Sequence, residues 1–494
     1  MALMTPRTAI RPMAPLALLL LSACATVPRL GPTPVMVPST AYAADTTLAG
    51  VDRSAWPDQA WWHDYGDPQL DALISEAMAG TPDLAAAVAR VRQADAYVQQ
   101  AQAARLPTLD ASGSVGTAKQ SYNNGYPAAF VPKGWKGTGK LEADLGFDLD
   151  LWGRNKASYA AARSDAEAAR LDLAQATLTL STSIADAYAT LAQLFAERGV
   201  QATALDIRQQ TERLTADRVV AGLDTQAELK QAQSAVPTAR ADIAATDEQI
   251  ALTRNRLAAL LGKGPDRGLA ITAPTAIIAA RGLPADVTTN LIGRRPDIIA
   301  ARTRVEAEAS RIKVARADFY PDVKLSAVFG LQSLGLGSFF NSGSTFGNAG
   351  PAISLPIFRG GALQGQYRHA RGLYEAAVAT YDQTVTDAYR AVADAVVSQR
   401  ALATRLSESR AALVAAQAAY SVARQRYEGG LSRFTDVLTA QDRALQSQRT
   451  VADLQARAFT LDVALVRALG GGFSPTVAIS RTLTDPTSKD QTHG

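Results

Sequence analysis

From Leu141 to Leu151 every odd position is apolar and every even one is acidic or glycine. Side chains of a strand point to alternate faces, so Leu141, Leu145, Phe147, Leu149 and Leu151 share one face. Glu142, Asp144, Asp148 and Asp150 share the other. Val323, Leu325, Ala327, Phe329 and Leu331 repeat the pattern against Lys324, Ser326 and Gln332. Weaker versions precede the first run and follow the second. The alternation predicts four strands, at about 108–118, 139–151, 322–333 and 348–358. Each has about ten residues, the length of a membrane-spanning strand. One face of a soluble sandwich would show the same alternation.

A different period follows each strand pair. From about residue 155 to 219 there is no proline, and glycine occurs only at Gly199. Tyr159, Ala166, Leu173, Leu180, Ala187 and Leu194 fall every seventh residue, with Leu171, Leu178, Ala185 and Ala192 as a second seam. Spacing by seven is a coiled-coil signal, and two seams on one helix call for neighbours on both sides, as in a ring of helices. A plain coiled-coil rod is the simpler alternative. At 1.5 Å per residue the segment is roughly 100 Å of helix. A second such stretch begins near Gly361. The two end at glycine turns, Gly222-Leu223 and Gly430-Leu431, and return as shorter helices to Leu261 and Leu469. The expected hairpins therefore cover about 155–262 and 361–469.

The halves are copies. Arg90-Val91 through Leu106-Pro107 returns as Arg304-Val305 through Tyr320-Pro321, and Arg218 and Gly222 answer Arg426 and Gly430. The repeats are assigned to 51–285 and 286–470, two halves of one body rather than the two or three domains that 494 residues suggest. Four strands cannot close a barrel, and an open sheet edge cannot sit in lipid. Membrane-spanning strands would therefore require several copies of the chain, two giving eight strands and three giving twelve. The segments joining each strand pair read as outward-facing loops; the second is glycine-rich but lacks the lysine of a phosphate-binding loop.

The N-terminus has Arg7 and Arg11, a short leucine-rich run, and then Leu21-Ser22-Ala23-Cys24. This is a secretory signal over 1–23, too short to span a bilayer. Its end resembles a bacterial lipobox, which makes Cys24, the only cysteine, the expected site of lipidation. Ala25 in place of Asp points to the outer membrane. Residues 24–50 read as an extended lipidated tether and 471–494 as a disordered tail.

Charge and composition mostly exclude. The net charge of +4 comes from interspersed acids and bases, which does not suggest nucleic-acid binding. His63, His369 and His493 stand in unrelated contexts, and there is no Gly-x-Ser-x-Gly element or Cys–His pair, so no enzyme and no cofactor is expected.

Several motifs carry a family resemblance over about residues 55 to 470. Trp61-Trp62 with Asp67-Pro68 and Leu70, Asp148-Leu149-Asp150-Leu151-Trp152-Gly153-Arg154, Arg294-Arg295-Pro296-Asp297-Ile298, and Leu355-Pro356-Ile357-Phe358 resemble the outer-membrane efflux family typified by TolC. The lipobox places the chain nearest the NodT-type lipoprotein branch. The resemblance implies a mainly α fold with a membrane β-barrel: a homotrimer whose twelve-stranded barrel continues as a twelve-helix periplasmic tunnel. It also implies a periplasmic adaptor and an inner-membrane pump, of the resistance-nodulation-division, major-facilitator or ATP-driven type, as partners. In the family the hairpin tips, here Gly222, Leu223, Gly430 and Leu431, meet the adaptor. Tyr427 and Asp436 fall where the family carries its tip tyrosine and a pore-facing aspartate, and Glu228 answers Asp436 in the first copy. A second aspartate common in some members is Thr439 here. Asp436 also sits where a carboxylate suits a helix N-terminus. Glu142, Asp144, Asp148 and Asp150 are expected to line the barrel and favour cations. A conduit for protein secretion shares the fold; a coiled-coil envelope lipoprotein would have the helices without the strands.

Overall fold

The computed structural model describes residues 26–42, 44–50, 52–276 and 281–474. Cys24, the signal segment and most of the tail, His493 included, lie outside these residues. The chain divides into two compact units.

The first unit combines residues up to Met36 with Val91–Ala168 and Ala301–Thr380. It holds strands β1 (Thr108–Ala118), β2 (Lys136–Asp148), β3 (Asp322–Leu334) and β4 (Thr345–Ser354) in one sheet, paired antiparallel in the order β1-β2-β3-β4. Register keeps residues of like parity on one face. Leu141 lies opposite Leu331 and Leu145 opposite both Leu109 and Ala327, while Asp144 lies opposite Asp110. Leu109, Val115, Leu141, Leu145, Leu325, Phe329 and Ile353 all stay exposed. A large uncovered apolar face is the mark of a surface meant for lipid or a partner. Among the described residues β1 and β4 each leave one edge unpaired. Among the described residues no helix is long and apolar enough to cross a membrane.

The strand bounds differ from the sequence expectation at the second and fourth strands. β2 stops at Asp148, because Asp150 has φ of 47° and turns the chain, and Gly153 follows at 72°. An aspartate tolerates this left-handed conformation better than most side chains. Leu149 and Leu151 therefore stand beyond the strand. β4 stops at Ser354, before Pro356.

The second unit holds residues from Val37 to Arg90, Ala169 to Ala300 and Tyr381 onward. Its helices include α1 (Pro68–Gly80), the first turns of α2 (Pro82–Ala103), most of α3 (Arg154–Val220), α4 (Gln226–Leu260), α5 (Val287–Arg294), most of α7 (Ala362–Glu428) and α8 (Phe434–Ala468). The helix between α5 and α7 is α6 (Pro296–Ala317), most of which belongs to the first unit. α3 and α7 each have 67 residues, and α4 and α8 each have 35. Equal lengths at both levels are the duplication expressed in structure. The two α3 seams are covered: Ala166, Leu180 and Ala187 in one, and Leu171, Leu178 and Ala185 in the other, are buried. Small seam residues let helix axes approach closely.

The core of this unit gathers Trp61, Trp62 and Tyr65 with Leu70, Leu73 and Ile74 of α1, Ile184, Tyr188 and Leu191 of α3, Leu257 of α4, and Phe459, Val463 and Val466 of α8. Two carboxylates at its margin, Asp67 and Asp462, are paired. Asp67 caps α1 by accepting from the N–H groups of Gln69 (2.9 Å) and Leu70 (3.4 Å), and it also accepts from the Tyr188 hydroxyl (2.7 Å) and the Thr275 N–H (2.8 Å). Asp462 accepts from Tyr65 (2.7 Å) and pairs with Arg281 (3.1 Å). Burial, with Asp462 beside it, pushes the Tyr65 hydroxyl far up, so the phenol stays a donor.

The N-terminal stretch is not a free tether. In the first unit the carbonyls of Pro32 and Pro34 accept from Arg371 and from Tyr374 (3.2 Å) of α7. In the second, the Val37 N–H donates to Asp382 (2.9 Å), Tyr42 stacks on Tyr389 at 5.5 Å, and Arg400 donates to the carbonyls of Thr47 and Ala49. Its composition reads as flexible chain, but backbone carbonyls need no particular side chain to be gripped by a helix.

Candidate functional site

The polar strand face is nearly neutral. Glu142 pairs with Lys140 at 2.6 Å and accepts from Ser112 at 3.3 Å. Asp148 pairs with Arg154 at 2.8 Å, and Lys324 with Asp322 at 3.1 Å. Each of these carboxylates has its own cation. Among the described residues Asp110 and Asp144 have none; they face each other across the β1–β2 ladder. Like charges directly opposite destabilise a sheet, so this pair is tolerated for another reason. Of the four carboxylates expected on this face, Asp144 stands there without a cation and Glu142 and Asp148 stand there in ion pairs. Asp110, which the alternation did not single out, joins Asp144.

Asp150 corrects the expectation. It lies past the end of β2, and its two oxygens accept from the backbone N–H groups of Asn155 and Lys156, both at 2.8 Å. It caps α3, where a carboxylate is favoured by the helix dipole and satisfies N–H groups that lack intrahelical partners. The strand reading failed here because alternation continues through a turn as readily as through a strand. Trp152 stacks on Tyr320 at 4.7 Å and donates to the Pro321 carbonyl at 2.7 Å, fixing the same junction.

The two hairpin turns match closely. Leu223 donates to the Arg218 carbonyl (2.8 Å) and Leu431 to that of Arg426 (2.7 Å). Gly222 and Gly430 both sit at φ of 73°, a left-handed helix end that glycine enters without strain. Leu223 and Leu431 project into solvent, 65% and 73% exposed. Beyond the turns, Glu228 and Asp436 hold the same position in the return helices. The Glu228 carboxylate accepts from the Thr225 N–H at 2.7 Å, and that of Asp436 from the Arg433 N–H at 3.1 Å. The first hairpin completes a capping box through the Thr225 hydroxyl, which accepts from the Glu228 N–H at 3.4 Å. In the second, Arg433 has no acceptor to offer, so Asp436 caps alone. Thr439 turns its hydroxyl back to the Thr435 carbonyl at 2.8 Å.

Where the tips stop matching, they are joined. Tyr427 is buried at 1% exposure against Ala232, Phe434 and Val437, and its hydroxyl donates to Asp224 of the other hairpin. Arg218 pairs with Asp224 at 3.0 Å and stacks over the Tyr427 ring at 4.4 Å. Burial, and then the Asp224 carboxylate, push the Tyr427 hydroxyl up to about 12. Arg218 and Asp224 were not singled out from sequence as site residues. The signal was present in the repeat itself: Arg218 is answered by Arg426, but Asp224 is answered by Ser432, so one copy alone carries the carboxylate. Beside this latch, Ala418, Ala419, Val422, Ala423, Leu431 and Arg426 line a groove of about 530 Å³ that reaches Asp436.

Antiparallel strands with one apolar face, in a chain that also folds two pairs of long helices, fit a subunit of an outer-membrane channel. Comparison with known proteins gives the family. The chain belongs to the outer membrane efflux protein family, whose model matches residues 73–263 and 287–471. The fusaric acid resistance protein FusA of Burkholderia cepacia is 37% identical over 362 residues, which are 70% of this chain and 66% of that protein. The multidrug resistance outer membrane protein MdtP of Escherichia coli K12 is 29% identical, covering 85% of this chain and 88% of that one. The outer membrane protein VceC of Vibrio cholerae superposes with a TM-score of 0.81 at 42% identity, over 85% of this chain and 100% of that structure. The outer-membrane channel OprN gives 0.80 at 27% identity, over 90% of this chain and 99% of that one. The fold is thus of the TolC type, and the chain is an outer-membrane efflux component with a periplasmic extension.

Proposed function

We propose that three copies of this chain close a twelve-stranded barrel and form the exit duct of a tripartite pump for small toxic organic compounds. The observation that carries this is the four-stranded sheet, whose apolar face is exposed and whose outer edges lack partners among the described residues. In lipid each unpaired backbone group costs several kcal/mol, so β1 and β4 must pair with strands of other copies. The relatives named for fusaric acid resistance and multidrug resistance support organic cargo. Energy comes from an inner-membrane pump, and a periplasmic adaptor contacts the hairpin tips. The small-residue groove ending at Arg426 and Asp436 suits the apolar stripe of an adaptor helix. An envelope lipoprotein made only of coiled coils has no use for the lipid-ready sheet. Native mass spectrometry of the purified protein should give the mass of three chains, and planar bilayers should show steps of conductance; a monomer without conductance refutes the reading.

The tips form the gate in this reading. The Tyr427–Asp224–Arg218 latch holds the two hairpins of one chain together, and Asp436, repeated around a three-fold axis, places a ring of negative charge at the narrow end. Asp436→Ala is expected to raise single-channel conductance and weaken block by divalent cations. Unchanged conductance and block would leave Asp436 a helix cap only. Cys24 carries the lipid anchor, and mass spectrometry finding an unmodified mature Cys24 removes that part.

A further inference from the structure

The end of the sheet away from the helices carries chemistry that conduction does not require. There, residues 119–135 join β1 to β2, and residues 335–344 join β3 to β4. The second loop folds back onto the apolar face. A Cβ placed on Gly139 would lie 2.7 Å from the Phe339 ring, and one on Gly137 would lie 3.1 Å from Leu336. Gly137 and Gly139 have the parity of Leu141 and Leu145, so Phe339 and Leu336 pack on the lipid-ready face at the loop end of β2. Phe340 meets Phe339 edge to face at 5.0 Å and is 85% exposed. Phe130, Trp135 and Tyr126 stand exposed nearby in sequence on the other loop.

Charge at this end has one sign. Lys119, Lys133 and Lys136 are exposed, and Lys119 lies 5.8 Å above the Tyr122 ring. No acidic residue occurs between Asp110 and Glu142 or between Asp322 and Glu375. Lys140 is already paired with Glu142. Four of the ten lysines of the chain therefore fall within 22 residues, and three of them have no carboxylate close in sequence. Exposed rings next to lysines fit a membrane boundary, where aromatic side chains sit at headgroup level and lysine reaches phosphate.

We propose that this end of the sheet docks the phosphorylated glycolipid of the outer leaflet. The rings of Phe130, Trp135 and Phe340 enter the boundary between acyl chains and sugar, while Lys119 and Lys133 bind its phosphates. The inference rests on the outer-membrane placement of the strands, which puts these loops at the cell exterior. Lysine suits the task, since a mobile point charge adapts to phosphates at varying depth.

The test is thermal unfolding of the full-length protein in detergent with three probes: bisphosphorylated lipid A, the same lipid after dephosphorylation, and inorganic phosphate. The expected result is a rise of several degrees with the bisphosphorylated lipid alone, at least halved in the Lys119→Gln/Lys133→Gln variant. An equal rise with dephosphorylated lipid, with free phosphate or in the variant overturns the proposal. Should the double variant fail to fold, Lys133→Gln alone decides by the same criterion. Conductance in planar bilayers is recorded in parallel: its loss in the wild-type protein counts against the channel, whereas an absent lipid effect with normal conductance counts only against the lipid site.

Discussion

One phenol hydroxyl joins the two halves of this chain at their tips. The bond from Tyr427 to Asp224 is part-buried, charge-assisted and reinforced by Arg218. A hydrogen bond to a charged group contributes about 1.5–3 kcal/mol. Tyr427→Phe keeps the packing against Phe434 and removes only that bond. It is expected to raise the conductance of the closed channel, measured in planar bilayers, while leaving assembly intact. The pH dependence follows from the raised value of about 12. A phenol whose ionisation is raised on folding contributes stability that is complete below its ordinary value of about 10. That stability is lost as pH rises towards the raised value. The latch should therefore hold through neutral pH and release only in strong alkali, and a wild-type channel that opens on mild alkalinisation near pH 8 contradicts the assignment.

Helices begin here on carboxylates, and the carboxylates came out of the sequence with unequal success. Asp436 reads as a helix-start carboxylate from its position after the glycine turn, whereas Asp67 entered only as part of a family motif, although aspartate followed by proline is a helix-start signal. Asp150 was hidden because it continued an alternating run. Asp67 also shows how a cap can be stiffened. Its burial opposes ionisation, yet the bonds from Tyr188 and from the N–H groups of Thr275, Gln69 and Leu70 outweigh this and hold it below the ordinary carboxylate value. A depressed acid contributes stability above its unfolded value of about 3.9 and loses it as pH falls through the folded value. Asp67→Ala should therefore lower Tm at pH 7, by the loss of a cap of about 1 kcal/mol or more. The gap from wild type should narrow below about pH 4; a gap constant from pH 7 to pH 3 contradicts the charge-based account.

On the scale of the whole molecule, part of the charge expected on the polar strand face is paired internally. Lys140, Arg154 and Lys324 neutralise Glu142, Asp148 and Asp322, leaving Asp110 opposite Asp144. With three copies this becomes one level of six carboxylates. Asp110→Asn/Asp144→Asn should reduce cation preference, read as a shift of reversal potential towards zero in a salt gradient. If Glu142→Gln alone gives the larger shift, the paired acids are not silent and the balance described above is wrong.

The period of the pattern was enough to set which elements form, though not where each strand ends. Two-residue alternation specifies a strand with one apolar face, and seven-residue seams specify long helices with neighbours, because both follow from local geometry that tertiary context does not alter. The repeat then implied two equivalent hairpins, and the glycines at 222 and 430 their turns. What tertiary structure decided is pairing between residues far apart in the chain. It alone brings Tyr427 to Asp224, Asp110 to Asp144, and the Pro32 and Pro34 carbonyls to α7. Such contacts depend on distances across the fold, and neither residue of a pair records in its own neighbourhood which partner it will meet.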